Sequence, residues 1–241
     1  MDCAALEKLV SEDRSQAPSD ALVLTSVRET SDRSEQYLER AVEAIETLDR
    51  HRLYRILGDA SVEMSGPEFR HQLVVPLLAT IGARWQEGSL RIVHEHMATH
   101  VIRSFLTIPR SRGDRSRAPR MVITTPPGQY HEIGALMAAA VAEEMGWDVF
   151  YLGTSLPAEE IAAAVRQTGA RAVALSLCYR ESDSHVLDEM LRLRTLVDSD
   201  IPVFVGGNAV HALRERFVDA GITCPEDLAG FRAALQTALT V

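Results

Sequence analysis

The sequence predicts a helical bundle followed by a parallel, doubly wound α/β sheet. Two observations support this prediction. Apolar residues recur at helical spacing between Ser34 and Ile108, and short β-rich runs alternate with helical stretches after Arg120. A chain of 241 residues is long enough to bury a core in both parts. The predicted parts are a tail, a four-helix bundle, an arginine-rich linker and an α/β domain, with bounds at 1–33, 34–110, 111–120 and 121–241.

The first 33 residues combine a short amphipathic piece with a mixture of Ser, Asp, Ala and Pro, which is typical of a loosely packed tail. This segment is too short to form a helical DNA-reading domain. We therefore expect no direct DNA binding by this chain.

Four helices follow, and their short connections favour an antiparallel bundle. Ser34 has the character of an N-cap residue. Pro67 suits a first helical turn, and Gly88 stands where helices commonly end. The approximate helix positions are 34–48, Leu53–Leu57, Gly66–Gly88 and Leu90–Ile108.

Residues 109–120 (PRSRGDRSRAPR) contain five arginines against one aspartate and two prolines. This composition is typical of a solvated linker between domains. The alternative is a local patch that binds phosphate or a protein partner.

After Arg120 the pattern alternates between strands and helices, which favours parallel strands joined by right-handed crossovers. A short fifth strand is predicted at Gly221–Cys224. In such sheets ligands bind beyond the carboxyl ends of the strands. The four main predicted strands are Met121–Thr125, Asp148–Leu152, Ala172–Leu177 and Pro202–Val205, with helices at Ala135–Met145 and Ala158–Thr168.

Three features follow these strand ends and should meet at one crevice. The segment Gly128–Gly134 (GQYHEIG) follows the first strand, Ser176 and a polar loop follow the third, and Gly206 and Gly207 follow the fourth. Glycines allow a bulky ligand to approach the backbone closely. His131 is a candidate metal ligand because neutral imidazole is the commonest such ligand in proteins. The alternative is a helix cap or a surface histidine.

Composition excludes several classes of protein. The net charge of −9 argues against a chain-wide nucleic-acid surface. Lys8 is the only lysine among 25 basic residues, so phosphate-loop ATPases, pyridoxal enzymes and phospho-acceptor receivers are poor candidates. Three scattered cysteines suggest neither a disulfide framework nor a metal knuckle. No apolar run is long enough to span a membrane, and we expect a cytoplasmic protein.

A second cluster of candidate residues lies in the bundle. Trp85 ends the third helix, and Glu95 and His96 begin the fourth, so a tight turn should bring them to one end of the bundle. The alternative is that Trp85 is a core residue and the others are polar bundle residues. His96 and His100 share a helical face, but the cluster lacks the glutamate placement of H-E-x-x-H, so a zinc site is disfavoured.

Together these clusters resemble the cobalamin-binding domains of light-dependent regulators of the CarH/LitR kind, in which a four-helix cap precedes a flavodoxin-like, Rossmann-like sheet. The similarity covers residues 34–241. It rests on a W-x9-E-H element, an H-x-x-G element, a serine after the third strand and paired glycines, which are here Trp85, Glu95, His96, His131, Gly134, Ser176, Gly206 and Gly207.

The resemblance implies a base-off, histidine-on cobalamin, most simply adenosylcobalamin, with methylcobalamin as the other form. His131 would be the lower axial ligand of cobalt, and the nucleotide tail would pass Ser176 and the paired glycines. Trp85 would cover the upper ligand, and Glu95 would contact its ribose. Light would cleave the cobalt–carbon bond and change the oligomeric state of the protein or its binding to a partner. The resemblance thus implies a role in transcription regulation.

This chain departs from the family in three places. Gln129 stands two residues before His131, where the family usually has an acid, and such a change typically costs about 10–100-fold in affinity or activity. Gln86 stands where some members have a histidine that binds cobalt after photolysis. Cys178 is expected to be a small buried apolar residue rather than a thiolate ligand.

The leading hypothesis is therefore a non-enzymatic cobalamin photosensor that forms a homo-oligomer or binds a protein partner. One alternative is a corrinoid carrier for methyl transfer, although a carrier does not need Trp85. Another is a sensor module with an additional or different tetrapyrrole chromophore, which Gln86 and Gln129 motivate. Residues Cys3–Asp13 faintly resemble the end of a MerR-type DNA-binding domain, so the chain is either a piece of a larger regulator or a stand-alone sensor.

Overall fold

The computed structural model describes residues 19–107, 117–178 and 183–239. The chain divides into two compact units, Met1–Ile102 and Arg103–Val241. Most of the predicted tail, most of the arginine-rich linker with its alternative phosphate patch, and most of the polar loop after the third strand lie outside the described residues.

The first unit is helical, as the apolar periodicity predicts. α1 packs against α2 and α3, and buried side chains such as Ile45 and Leu53 lie on the predicted apolar stripes. The last residues of α4 belong to the second unit. The helices are α1 (Ser19–Glu46), α2 (Arg50–Glu63), α3 (the consecutive segments Gly66–Glu68, Phe69–Val74 and Val75–Gln86) and α4 (Ile92–Leu106).

The first helix begins earlier than predicted. It starts at Ser19, so the prediction of an N-cap at Ser34 is wrong, and Ser34 is a buried position inside the helix. The segment 19–33 contains neither glycine nor proline, and nothing in it stops a helix from continuing. Residues 28–36 contain no apolar side chain, and this interruption of the apolar pattern made the prediction start too late.

The third helix is continuous, but its middle segment, Phe69–Val74, is π-helical. Pro76 has no backbone N–H to offer the preceding turn, which is a common cause of such irregular segments. Ser65 and Glu68 form a capping box at the start of the helix, with the Ser65 N–H donating to Glu68 Oε2 over 2.8 Å. The helix therefore begins where Pro67 predicts and ends just beyond Trp85.

The second unit contains, within its described residues, a four-stranded parallel sheet in the order β2-β1-β3-β4. The predicted helical region and the predicted parallel sheet are both confirmed. The strands are β1 (Arg120–Thr124), β2 (Asp148–Tyr151), β3 (Ala172–Ser176) and β4 (Val203–Gly206). The helices are α5 (Ile133–Glu144), α6 (Ala158–Thr168), α7 (Asp183–Leu196), α8 (Arg214–Asp219) and α9 (Leu228–Leu239), with a 3₁₀ turn at Asn208–Ala212.

Helices cover both faces of the sheet. On β1, Val122 belongs to one apolar core together with residues of α6 and α7, whereas Met121 and Ile123 belong to the other core with residues of α5 and α9. This alternation follows from the two-residue period of a strand. Because every strand is apolar on both sides, the sequence pattern alone indicates a sheet that is covered on both faces.

The prediction of a fifth strand at Gly221–Cys224 is wrong in the described structure. Thr223 forms only an isolated parallel bridge with Phe204 of β4. The Val205 N–H donates to the Thr223 carbonyl and the Thr223 N–H donates to the Val203 carbonyl, both over 2.9 Å. The segment lies between Gly221 and Pro225, and it is too short to extend the ladder.

Candidate functional site

The sheet has a topological switch point between β1 and β3. The chain leaves β1 through α5 on one face of the sheet and leaves β3 through α7 on the other face. This divergence opens a crevice between the carboxyl ends of the two neighbouring strands, where doubly wound sheets bind their ligands. The loops that follow β1, β2, β3 and β4 all border this edge of the sheet.

The loop after β1 is held by a hydrogen-bond network around Thr125, which is fully buried. The Thr125 hydroxyl donates to the Gln129 carbonyl and accepts the Ser155 N–H over 2.9 Å. The Ser155 hydroxyl in turn accepts the Gly128 N–H over 3.1 Å. The loop after β2 therefore supports the turn that precedes His131.

Gln129 links the first and third strand ends. Its side chain is 1% exposed, and its Oε1 accepts the backbone N–H of Cys178 over 3.0 Å. The Cys178 backbone N–H can only donate, so the side-chain oxygen of Gln129, and not its nitrogen, faces Cys178.

Replacing Gln129 with leucine should lower the free energy of unfolding by about 1–3 kcal/mol, because the Cys178 N–H would lose its acceptor in a buried position. Urea denaturation followed by circular dichroism measures this change. The matched control is Gln86→Leu at the exposed end of α3, which should change stability by less than about 0.5 kcal/mol. Equal effects at the two positions would contradict the structural role of the Gln129 amide.

His131 lies on the exposed surface of the loop. The Cys178 thiol is directed at the His131 backbone carbonyl, with 3.8 Å between sulfur and oxygen, and lies 3.7 Å from the Ser176 hydroxyl. Burial raises the pKa of the Cys178 thiol, and the hydrogen bond with Ser176 lowers it by less. The prediction of a small buried apolar residue at Cys178 is wrong in detail, because the side chain is half-buried and takes part in polar contacts. Its raised pKa favours the neutral thiol.

Glu132, the next residue, connects three elements of the second unit. Its carboxylate accepts a hydrogen bond from the Tyr151 hydroxyl over 2.6 Å at the end of β2. It also pairs with the Arg103 Nε over 3.0 Å at the end of α4. Burial raises the pKa of Tyr151, and the hydrogen bond to the carboxylate raises it further. These contacts fix the backbone on the carboxyl side of His131.

Small residues line the crevice. A Cβ on Gly134 would lie 2.4 Å from the Ser176 hydroxyl oxygen, so any larger residue at the start of α5 would force that hydroxyl to move. Gly207 has φ +111, and a Cβ there would lie 2.3 Å from the Leu177 carbonyl. Beside Gly206 the space within 4 Å is open. The structure thus brings together the predicted residues of the second unit.

The predicted residues of the first unit lie at neighbouring helix ends. Trp85 is 45% exposed in the last turn of α3, and Glu95 and His96 lie in the first turns of α4. Glu95 Oε2 lies 2.6 Å from His96 Nδ1, and Glu95 Oε1 accepts the Thr99 hydroxyl over 3.1 Å. Trp85 is therefore not a buried core residue. The turn between α3 and α4 presents an aromatic face, a carboxylate and an imidazole.

Thr125 and Ser155 did not stand out in the sequence as site residues. Its position along the chain could have identified Ser155, because it follows the second predicted strand and the carboxyl ends of parallel strands lie at one edge of the sheet.

Among residues 19–107, 117–178 and 183–239, no three His, Cys, Asp or Glu side chains are grouped so that they could hold a metal ion. Within the same residues, no helix has the length and apolar character needed to cross a membrane.

Comparison with protein families identifies both units. Residues 119–233 match a family described as B12 binding domain, and residues 37–108 match a second family with the same description. Together the two matches cover well over half of the chain.

Two curated relatives come from Myxococcus xanthus. The HTH-type transcriptional repressor CarH is 28% identical over 179 residues, which cover 74% of this chain and 60% of that protein. The HTH-type transcriptional repressor CarA is 29% identical over 178 residues, which cover 72% of this chain and 59% of that protein. The chain thus spans about three fifths of the length of the curated relatives that it matches.

Among solved structures, the monomethylamine corrinoid protein of Methanosarcina barkeri has a TM-score of 0.65 and 15% sequence identity. The match covers 84% of this chain and 99% of that chain. At this identity the likeness shows a shared fold.

Proposed function

Residues 37–108 and 119–233 belong to two B12-binding domain families, and from this membership we propose that the chain is a regulatory protein that senses light through a bound adenosylcobalamin. The family membership indicates a cobalamin or corrinoid cofactor. The observation that supports the site best is the small-residue crevice beside His131, at the switch point between β1 and β3.

The residues at this crevice fit a corrinoid with a displaced nucleotide tail. Gly134 and Gly207 are positions where a Cβ would collide with the neighbouring strand end, and Gly206 borders open space. Ser176, which is 5% exposed, supplies a hydroxyl at the floor of the crevice. We propose that the tail lies along Ser176, Gly206 and Gly207.

His131 would be the lower axial ligand of the cobalt. Its imidazole lies on an exposed loop whose backbone is held on both sides, through Gly128 and through Glu132. Holding the backbone reduces the conformational freedom that the loop would lose when the ligand binds. Gln129 contributes by linking this loop to the end of β3.

When bound, adenosylcobalamin would supply a cobalt–carbon bond that visible light can break. We propose that Trp85 covers the upper ligand of the cobalt and that Glu95 and His96 form hydrogen bonds with this ligand. Because the Glu95 carboxylate is already bonded to His96 and Thr99, a ligand hydroxyl would join an ordered polar group. Loss of the ligand would expose this surface, which gives a physical basis for a change in oligomeric state or partner binding.

The test mixes the apo-protein with adenosylcobalamin in the dark and records visible spectra and size-exclusion elution before and after illumination. A histidine-on spectrum in the dark, a change to an aquo- or hydroxo-type spectrum in the light and a shift in elution are expected. Binding without any change on illumination would contradict light sensing.

The corrinoid carrier for methyl transfer is the alternative. It predicts that methylcobalamin binds far more tightly than adenosylcobalamin. The exposed Trp85 favours the sensor, since a carrier has no need of an aromatic cover. A protein purified with non-corrin absorbance would instead support the module with another tetrapyrrole.

A further inference from the structure

Ser155 has an unusual backbone conformation. It lies at φ +60 in the loop between β2 and α6, although it is not a glycine. Residues with a Cβ adopt this left-handed region at an energetic cost. A strained residue persists when its surroundings hold it there, and such residues concentrate at functional sites.

Two hydrogen bonds hold Ser155 in this conformation. Its N–H donates to the Thr125 hydroxyl over 2.9 Å, and its own hydroxyl accepts the Gly128 N–H over 3.1 Å. Thr125 is fully buried and also donates to the Gln129 carbonyl. One residue thus contacts both the start and the middle of the turn that leads to His131.

We propose that Ser155 is a positioning residue for His131, acting through Gly128 and Thr125 to set the place from which the imidazole reaches the cobalt. This inference rests on the proposed function. The segment between Gly128 and His131 is short, so a displaced Gly128 amide displaces the imidazole as well. Glu132 anchors the other side of the loop.

The first test measures the apo-protein. Ser155→Gly removes the hydroxyl but tolerates the positive φ, so the melting temperature should change little. Amide hydrogen exchange at Gly128 should become about tenfold faster, because that N–H loses its acceptor. Thr154→Gly, at the neighbouring position of the same loop, is the matched control and should leave the Gly128 exchange unchanged. Unchanged exchange in Ser155→Gly would overturn the proposal.

The second test reports on the metal ligand. Protein labelled with ¹⁵N-histidine is mixed with cob(II)alamin, and electron paramagnetic resonance detects the nuclear splitting from a histidine nitrogen on cobalt. Ser155→Gly should lower the histidine-bound fraction by about 3–10-fold, which is less than the roughly 10–100-fold typical of a group bonded directly to a metal ligand, because Ser155 acts through Gly128 and Thr125. Thr154→Gly should match the wild type.

The paramagnetic resonance experiment distinguishes failure of the proposed function from failure of the positioning role of Ser155. No histidine splitting in the wild type would overturn the proposed function and, with it, the role of Ser155. A normal wild-type signal that is unchanged in Ser155→Gly would overturn the positioning role alone.

Discussion

Replacing His131 with alanine is expected to remove the protein-derived axial nitrogen from bound cobalamin and to weaken binding by at least about 100-fold. Losing a group that only supports a metal ligand typically costs about 10–100-fold, and losing the ligand itself should cost no less. His131 is the only histidine in the segment Gly128–Gly134, so no other imidazole on this loop can replace it. Visible spectroscopy and equilibrium titration with adenosylcobalamin measure both effects.

The control for this prediction is His51→Ala, at an exposed position on α2 in the other unit. It should leave the spectrum and the affinity unchanged. A histidine-on spectrum that survives in His131→Ala would show that another residue binds the cobalt. Such a result would contradict the proposal that His131 is the axial ligand of the cobalt.

Replacing Gly207 with alanine is expected to lower the free energy of unfolding by about 2–5 kcal/mol. Two effects add here. The residue lies at φ +111, which disfavours any side chain, and an added Cβ would lie 2.3 Å from the Leu177 carbonyl oxygen. Because this neighbour is backbone, it cannot move aside without disturbing the end of β3. Chemical denaturation measures the change, and cobalamin affinity should fall with it.

Gly169→Ala separates the two effects. Gly169 ends α6 at φ +65, and an added Cβ there would meet no atom within 4 Å. It should cost about 1–2 kcal/mol from backbone conformation alone. A cost at Gly207 no larger than that at Gly169 would contradict the close approach of Gly207 to Leu177.

The fold class could be predicted because periodicity is a local property of the sequence. The strands of the sheet were predicted to within one residue at each end, since apolar runs bounded by Gly and Pro leave little freedom. The start of α1 could not be predicted in this way, because residues 28–36 contain no apolar side chain that would connect the apolar positions before Arg28 with those from Tyr37 onwards. The π-helical segment before Pro76 depends on how the chain accommodates a missing N–H within a packed helix.

The residue types that follow each strand can be read from the sequence alone: an imidazole after β1, a hydroxyl at the end of β3 and two glycines at the end of β4. Which atoms these residues contact depends on the tertiary structure. The contact between Gln129 and Cys178 joins residues 49 positions apart, and the support of Gly128 by Ser155 joins residues 27 positions apart. Such contacts arise only when the parallel strands align their carboxyl ends, because no periodicity along the chain encodes which loops then meet.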